Sequence, residues 1–163
     1  MPNEPFYDII KFYKDIDQLL PFPDLENPCG ECKECCRYFF YCSQYEYEYL
    51  KHYVEDKRIN IPLIFKPAST PDGDRRSVNS GWCCPLYREN AGCLAYAARP
   101  YACRIMGHYV PRTTNIPGQC IFRSPVNYST HDEMPLWKEY VKLLLAHPPS
   151  KEFQKGGYIF PFV

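Results

Sequence analysis

The stretch PCGECKECCRYF, residues 28–39, packs Cys29, Cys32, Cys35 and Cys36 into eight consecutive positions. How it is read decides the fold, because it belongs to a set of ten cysteines in a 163-residue chain that also carries 17 prolines and only 8 glycines. An intracellular chain does not accumulate thiols at that density by accident, so they are expected to be bonded to something. Disulfides, a zinc site and an iron–sulfur cluster compete as explanations. Disulfides suit exported chains, whereas residues 1–30 lack the basic start, unbroken apolar core and small-residue cleavage site of a secretory signal. Neighbours such as Cys35 and Cys36 also project in different directions, which makes a dense run a poor staple for distant segments.

Zinc prefers four tetrahedral ligands, commonly as two Cys-x2-Cys turns. Cys29 and Cys32 form one such pair, and a second pair would have to come from separated residues such as Cys84 and Cys93. The longer run Cys29-x2-Cys32-x2-Cys35 has the spacing with which ferredoxin-type loops wrap a cubane cluster, completed in those proteins by a remote cysteine followed by proline. Cys84-Pro85 is such a dipeptide, although ferredoxins usually carry the run twice and this chain carries it once. The adjacent pairs Cys35-Cys36 and Cys83-Cys84 let one backbone segment send neighbouring thiolates to different positions of a compact centre. A thiolate-bound metal centre carries net negative charge, and Arg37, Arg88, Arg99 and Arg104 lie close along the chain to screen it.

Around these cysteines the sequence predicts a mainly α, small single domain (residues 1–163): a few amphipathic helices around a loop-rich centre organised by cysteine and metal. From Phe6 to Leu20 the residues Phe6, Ile9, Ile10, Tyr13, Ile16 and Leu20 recur at helical spacing, with Pro21 as a stop. A second helix is predicted over Gln44 to Asp56, with Tyr45, Tyr49 and Tyr53 four apart as a core-lining stripe. A third is predicted between Asp132 and His147, with Asp132 as cap, Pro135 in the first turn, and Trp137, Tyr140, Val141 and Leu144 on one face. Eight prolines from Pro62 to Pro125 argue against long regular elements between the second and third helices. Sulfur ligation is the expected source of order there. The tail GGYIFPFV reads as a strand or extended segment laid over the core.

Nineteen basic and nineteen acidic residues cancel, so the chain lacks the electrostatic footprint of a nucleic-acid or anionic-membrane binder. No apolar run approaches the ~18 residues of a spanning helix, and a cytoplasmic location without membrane attachment is expected. There is no phosphate loop, His-Glu-x2-His helix or nucleophile elbow. Acid pairs such as Glu46 and Glu48 read as solvated charge, and His108 as a loop histidine or an alternative to a thiolate at a metal.

The residues CGECKECCR (Cys29 to Arg37), CPLY (Cys84 to Tyr87), CLAYAARPYACR (Cys93 to Arg104) and the separated Cys120 together resemble the YkgJ-type cysteine-cluster family, known by its CxxCxxCC motif as a zinc- or iron-chelating domain. The resemblance covers residues 29–120 and implies eight metal-ligating cysteines: Cys29, Cys32, Cys35, Cys36, Cys84, Cys93, Cys103 and Cys120. Cys42 and Cys83 fall outside the pattern and read as plain thiols. Arg99-Pro100 is expected to open a short helical turn with proline at its first position, carrying Cys103 inward beside Arg104. Tyr96 is expected to lay its ring over the centre, so Arg99, Arg104 and Tyr96 are its candidate supporting residues. The implied function is binding of a [4Fe-4S] cluster, with a structural, electron-transfer or enzyme-assisting role and an unidentified protein partner. A zinc-binding adaptor is the alternative. A further one is an S-adenosylmethionine-linked methyltransferase-like enzyme, because a related motif occurs in flagellin lysine N-methylases. Ile105, Met106 and Gly107 depart from the family's usual aromatic and proline after the last motif.

Overall fold

The computed structural model describes residues 4–20, 36, 42–61, 64–67, 84–89, 91–108, 128–151 and 159–162, with 64–67 and 159–162 as backbone. These residues are mainly helical, as the apolar spacing predicts. Helix α1 (Tyr7–Leu19) buries Ile9, Phe12, Tyr13 and Ile16 along one stripe, and it packs against α3 (Tyr101–Arg104) and α4 (Trp137–Ala146). It starts directly after Phe6, whose φ of 67° turns the chain sharply. The Phe6 ring then lies 5.4–5.7 Å from the rings of Tyr45, Tyr49 and His52 on the second helix.

Helix α2 (Gln44–Asp56) occupies the span read from the sequence. Its start is set by a capping box, in which Ser43 Oγ accepts from the Glu46 amide and the Glu46 carboxylate accepts from the Ser43 amide. At its other end, the Arg58 amide donates to the Glu55 carbonyl and the Ile59 amide to the Val54 carbonyl, with Arg58 at φ 52°. That pattern is a Schellman closure, which turns Ile59 back onto the core side of the helix. Tyr49 is buried, and Tyr45 and Tyr53 pack against the core as partly buried rings, so the aromatic stripe lines the interior.

The start of α4 differs from the expectation. Asp132 is exposed and lies in a 3-10 turn, His131–Glu133, boxed by Thr130 and Glu133, and the helix opens only at Trp137 after Leu136 at φ 58°. The reason lies in Pro135, whose ring disfavours helical geometry at the residue before it. Met134 accordingly is extended (φ −68°, ψ 135°), and no helix can run through it. Tyr140 is buried; Trp137, Val141 and Leu144 are partly so.

Between α2 and α4 the described elements are short, as the prolines require. Strand β1 (Ile64–Pro67) pairs antiparallel with β4 (Ile159–Phe162), Ile64 opposite Phe162, so the end of the tail is a strand. Strands β2 (Tyr87–Arg88) and β3 (Gly92–Cys93) form a hairpin. At its turn Gly92 has φ 69°, a conformation glycine reaches without steric cost. A 3-10 turn, Tyr96–Ala98, then leads into α3 and packs against α2.

The centre of the helical assembly is polar as well as aromatic. Glu46, read from the sequence as solvated, is fully buried. Its carboxylate accepts from Tyr13 Oη of α1 at 3.0 Å, the Ser43 amide at 2.8 Å, Ser43 Oγ at 3.1 Å, the Tyr101 amide of α3 at 2.7 Å and Tyr140 Oη of α4 at 2.8 Å. A carboxylate is tolerated in a core when its lone pairs are filled this way. Around it Tyr101 and Tyr140 stack at 4.2 Å, and Phe12 stacks on Tyr140 at 5.6 Å.

Candidate metal centre

Four of the eight predicted ligands, Cys36, Cys84, Cys93 and Cys103, fall on described residues; Cys29, Cys32, Cys35 and Cys120, like Cys83 and Arg37, lie outside them. The CPLY segment makes a tight turn in which the Tyr87 amide donates to the Cys84 carbonyl at 2.9 Å. This turn feeds the β2–β3 hairpin, whose register sets Cys93 opposite Tyr87, and the Leu94 amide donates to Leu86 at 2.8 Å. The amide of Cys84 in turn donates to the carbonyl of Cys36 at 2.7 Å. One main-chain bond thus joins the end of the CxxCxxCC run to the cysteine-bearing hairpin.

Cys103 sits in α3, where its amide and that of Arg104 both donate to the Pro100 carbonyl, at 2.9 and 3.2 Å. Pro100 is the cap of this helix rather than its first helical residue, with φ −58° and ψ 160°. The role suits proline, because φ is already correct and extended ψ is open to it. All four described ligand candidates are half-buried, in contrast to Cys42, which is 4% exposed. Burial, reinforced by the nearby Glu46 charge, pushes the Cys42 thiol well above its ordinary range, so it stays a protonated core residue. Its reading as a plain buried thiol agrees with that setting.

The residues expected to support the centre are anchored as follows. Arg104 is 1% exposed; its Nε donates to the Arg99 carbonyl at 2.9 Å, one Nη to the Ala97 carbonyl at 2.6 Å and the other to Asp17 of α1. Its guanidinium lies 3.8 Å over the Tyr13 ring. Arg99 is also buried, 3.5 Å from the Asp17 carboxylate and 3.7 Å over the Tyr96 ring. Arg88 is exposed and turns back on its own hairpin, donating to the Pro85 and Tyr87 carbonyls. The two buried arginines therefore tie the RPYACR turn to α1. His108, expected in a loop, is 1% exposed, and burial above all lowers its pKa.

Sequence reading missed Glu46. The signal was present as Ser43-x2-Glu46 directly before an apolar-periodic span, a capping-box signature. Among the described residues, no three of His, Cys, Asp and Glu converge closely enough to hold a metal ion, and no helix is long and apolar enough to cross a membrane. Comparison with family models, curated proteins and solved structures finds no match.

Proposed function

We propose that this chain holds a cysteine-ligated metal centre, a [4Fe-4S] cluster, drawing its ligands from Cys29, Cys32, Cys35, Cys36, Cys84, Cys93, Cys103 and Cys120. The observation that carries the reading is the 2.7 Å bond from the Cys84 amide to the Cys36 carbonyl. It brings together two cysteine motifs that the sequence keeps far apart. The donor chemistry fits: the described candidates are half-buried sulfurs on short, proline-rich segments, which a thiophilic metal can order. The resemblance to the cysteine-cluster family points the same way. When bound, such a centre supplies one-electron exchange and a rigid anionic core. Arg99 and Arg104 fix the turn that carries Cys103 to α1 through Asp17. The reading includes a single domain, a reducing cytoplasmic compartment in which thiolates persist, and an unidentified protein partner.

The test is elemental analysis with a visible spectrum on the full chain purified without oxygen. Iron and acid-labile sulfide in brown protein are expected. Stoichiometric zinc in colourless protein would replace the cluster by a structural adaptor site, and metal-free protein whose thiols are all oxidised would overturn metal binding altogether. A loaded protein that also takes up S-adenosylmethionine in calorimetry would favour the methyltransferase-like alternative, and absence of binding heat would count against it.

A further inference from the structure

We propose that Glu46 is the positioning residue of the metal centre, acting through the α3 turn to set where Cys103 stands. The inference rests on the metal-centre reading above. Helix α3 has only four residues, Tyr101–Arg104. A helix that short cannot hold itself, because nucleation is unfavourable and few bonds are gained. Its first amides need outside acceptors, and its cap, Pro100, has no side chain able to supply one. The Glu46 carboxylate does so from another helix, accepting the Tyr101 amide at 2.7 Å. Cys103 follows two residues later, and beyond it Arg104 is fixed by the Arg99 and Ala97 carbonyls and by Asp17. Cys103 thus lies between two anchors, of which Glu46, itself in α2, is the one bonded to both α1 and α4.

The consequence is a coupling. The same carboxylate that closes the helical core orders the ligand-bearing turn before metal arrives, so less ordering entropy is left to be met by ligation. Glu46→Gln keeps the shape but places an amide NH2 group where the carboxylate met only donors. Tyr140→Phe removes one bond to the same carboxylate and leaves its contact with α3 intact, so it serves as the control.

The experiment uses full-length wild type, E46Q and Y140F, each loaded with the metal that the wild type carries. Three quantities are read: metal retention against a chelator, the thiolate-to-metal charge-transfer band, and amide hydrogen exchange over residues 101–104. E46Q is expected to accelerate exchange at Tyr101, to shift the band, and to weaken metal retention by about tenfold to a hundredfold, the range seen when supporting partners of metal ligands are lost. Y140F is expected to lower the melting temperature while leaving all three readouts near wild type. Equal retention, band and exchange in E46Q and Y140F at matched stability would overturn the proposal while leaving the metal centre intact. Wild type that binds no metal would overturn the metal-centre reading and this inference with it. Should E46Q fail to fold, Glu46→Asp keeps the charge but withdraws it by one methylene, and is expected to show the same shifts in smaller measure; wild-type values in E46D would overturn the proposal.

Discussion

Arg104 illustrates how one buried charge is matched by geometry more than by a counter-charge. Its guanidinium sends donors in three directions, to the Arg99 carbonyl, the Ala97 carbonyl and Asp17, with the Tyr13 ring against its face. Only Asp17 carries charge, and its side chain is 43% exposed, so half of that pair is already in water. Breaking a fully buried pair costs about 3–5 kcal/mol, and an exposed one under about 1 kcal/mol. Asp17→Asn, which keeps an acceptor oxygen, should therefore cost about 1–2 kcal/mol. Arg104→Lys keeps the charge but loses the planar fork that serves the buried Arg99 carbonyl and the part-buried Ala97 carbonyl together, and should cost more, about 3 kcal/mol. Urea unfolding of the two variants checks the order; a larger loss in D17N would mean that charge, not directional bonding, holds the turn.

Elements end where backbone geometry dictates, and α2 shows a stop that substitution can improve. Arg58 adopts φ 52° after the helix, although it is exposed and no glycine. A left-handed residue with a Cβ costs roughly 1–2 kcal/mol, part of which glycine returns through its greater freedom in the unfolded chain. Arg58→Gly should thus stabilise the protein by about 0.5–1 kcal/mol, read as a higher urea midpoint at unchanged slope, and a lower midpoint would mean that the Arg58 side chain contributes more than the turn. Elements of this kind were also the most legible in the sequence. Tyr49, Leu50 and Val54, flanked by the partly buried Tyr45 and Tyr53, mark the inward face of α2, and the spacing from Ile9 to Ile16 marks that of α1. The start of α4 was misjudged because Asp132 offers a cap, yet Pro135 forbids helix at Met134. Of the candidate site, the short α3 turn after Arg99-Pro100 could be read in advance. The Cys36–Cys84 bond could not, since a main-chain contact between remote loops leaves no trace in residue spacing. Glu46 was half legible: its capping box is local, but the tyrosines and the amide that bury it arrive from 33, 55 and 94 residues away.

At the scale of the whole molecule, that same convergence ties helix packing to the protonation of the core. Tyr13, Tyr101 and Tyr140 surround Glu46, and for each the largest effect is burial, followed by repulsion from the Glu46 charge; both favour the neutral phenol and push the pKa well above the ordinary tyrosine range. Arg104 opposes this at Tyr13 without reversing it. A group whose pKa is raised on folding binds its proton more tightly in the native state, so its contribution is fully present below the unfolded value of about 10 and is lost as pH rises beyond it. The chain has 15 tyrosines, and surface ones such as Tyr7, 43% accessible, lack the burial of these three. Alkaline titration should therefore be biphasic: an early tyrosinate rise with helical circular dichroism unchanged, then a second, cooperative rise that coincides with loss of helix. Replacing Tyr140 by Phe should shrink the second phase and shift it to lower pH, because one Glu46 bond is gone while Tyr13 and Tyr101 still resist ionisation. A single smooth tyrosinate curve completed before any helix is lost would mean that these phenols reach water in the folded chain, and that the Glu46 centre is not the joint on which the four helices close.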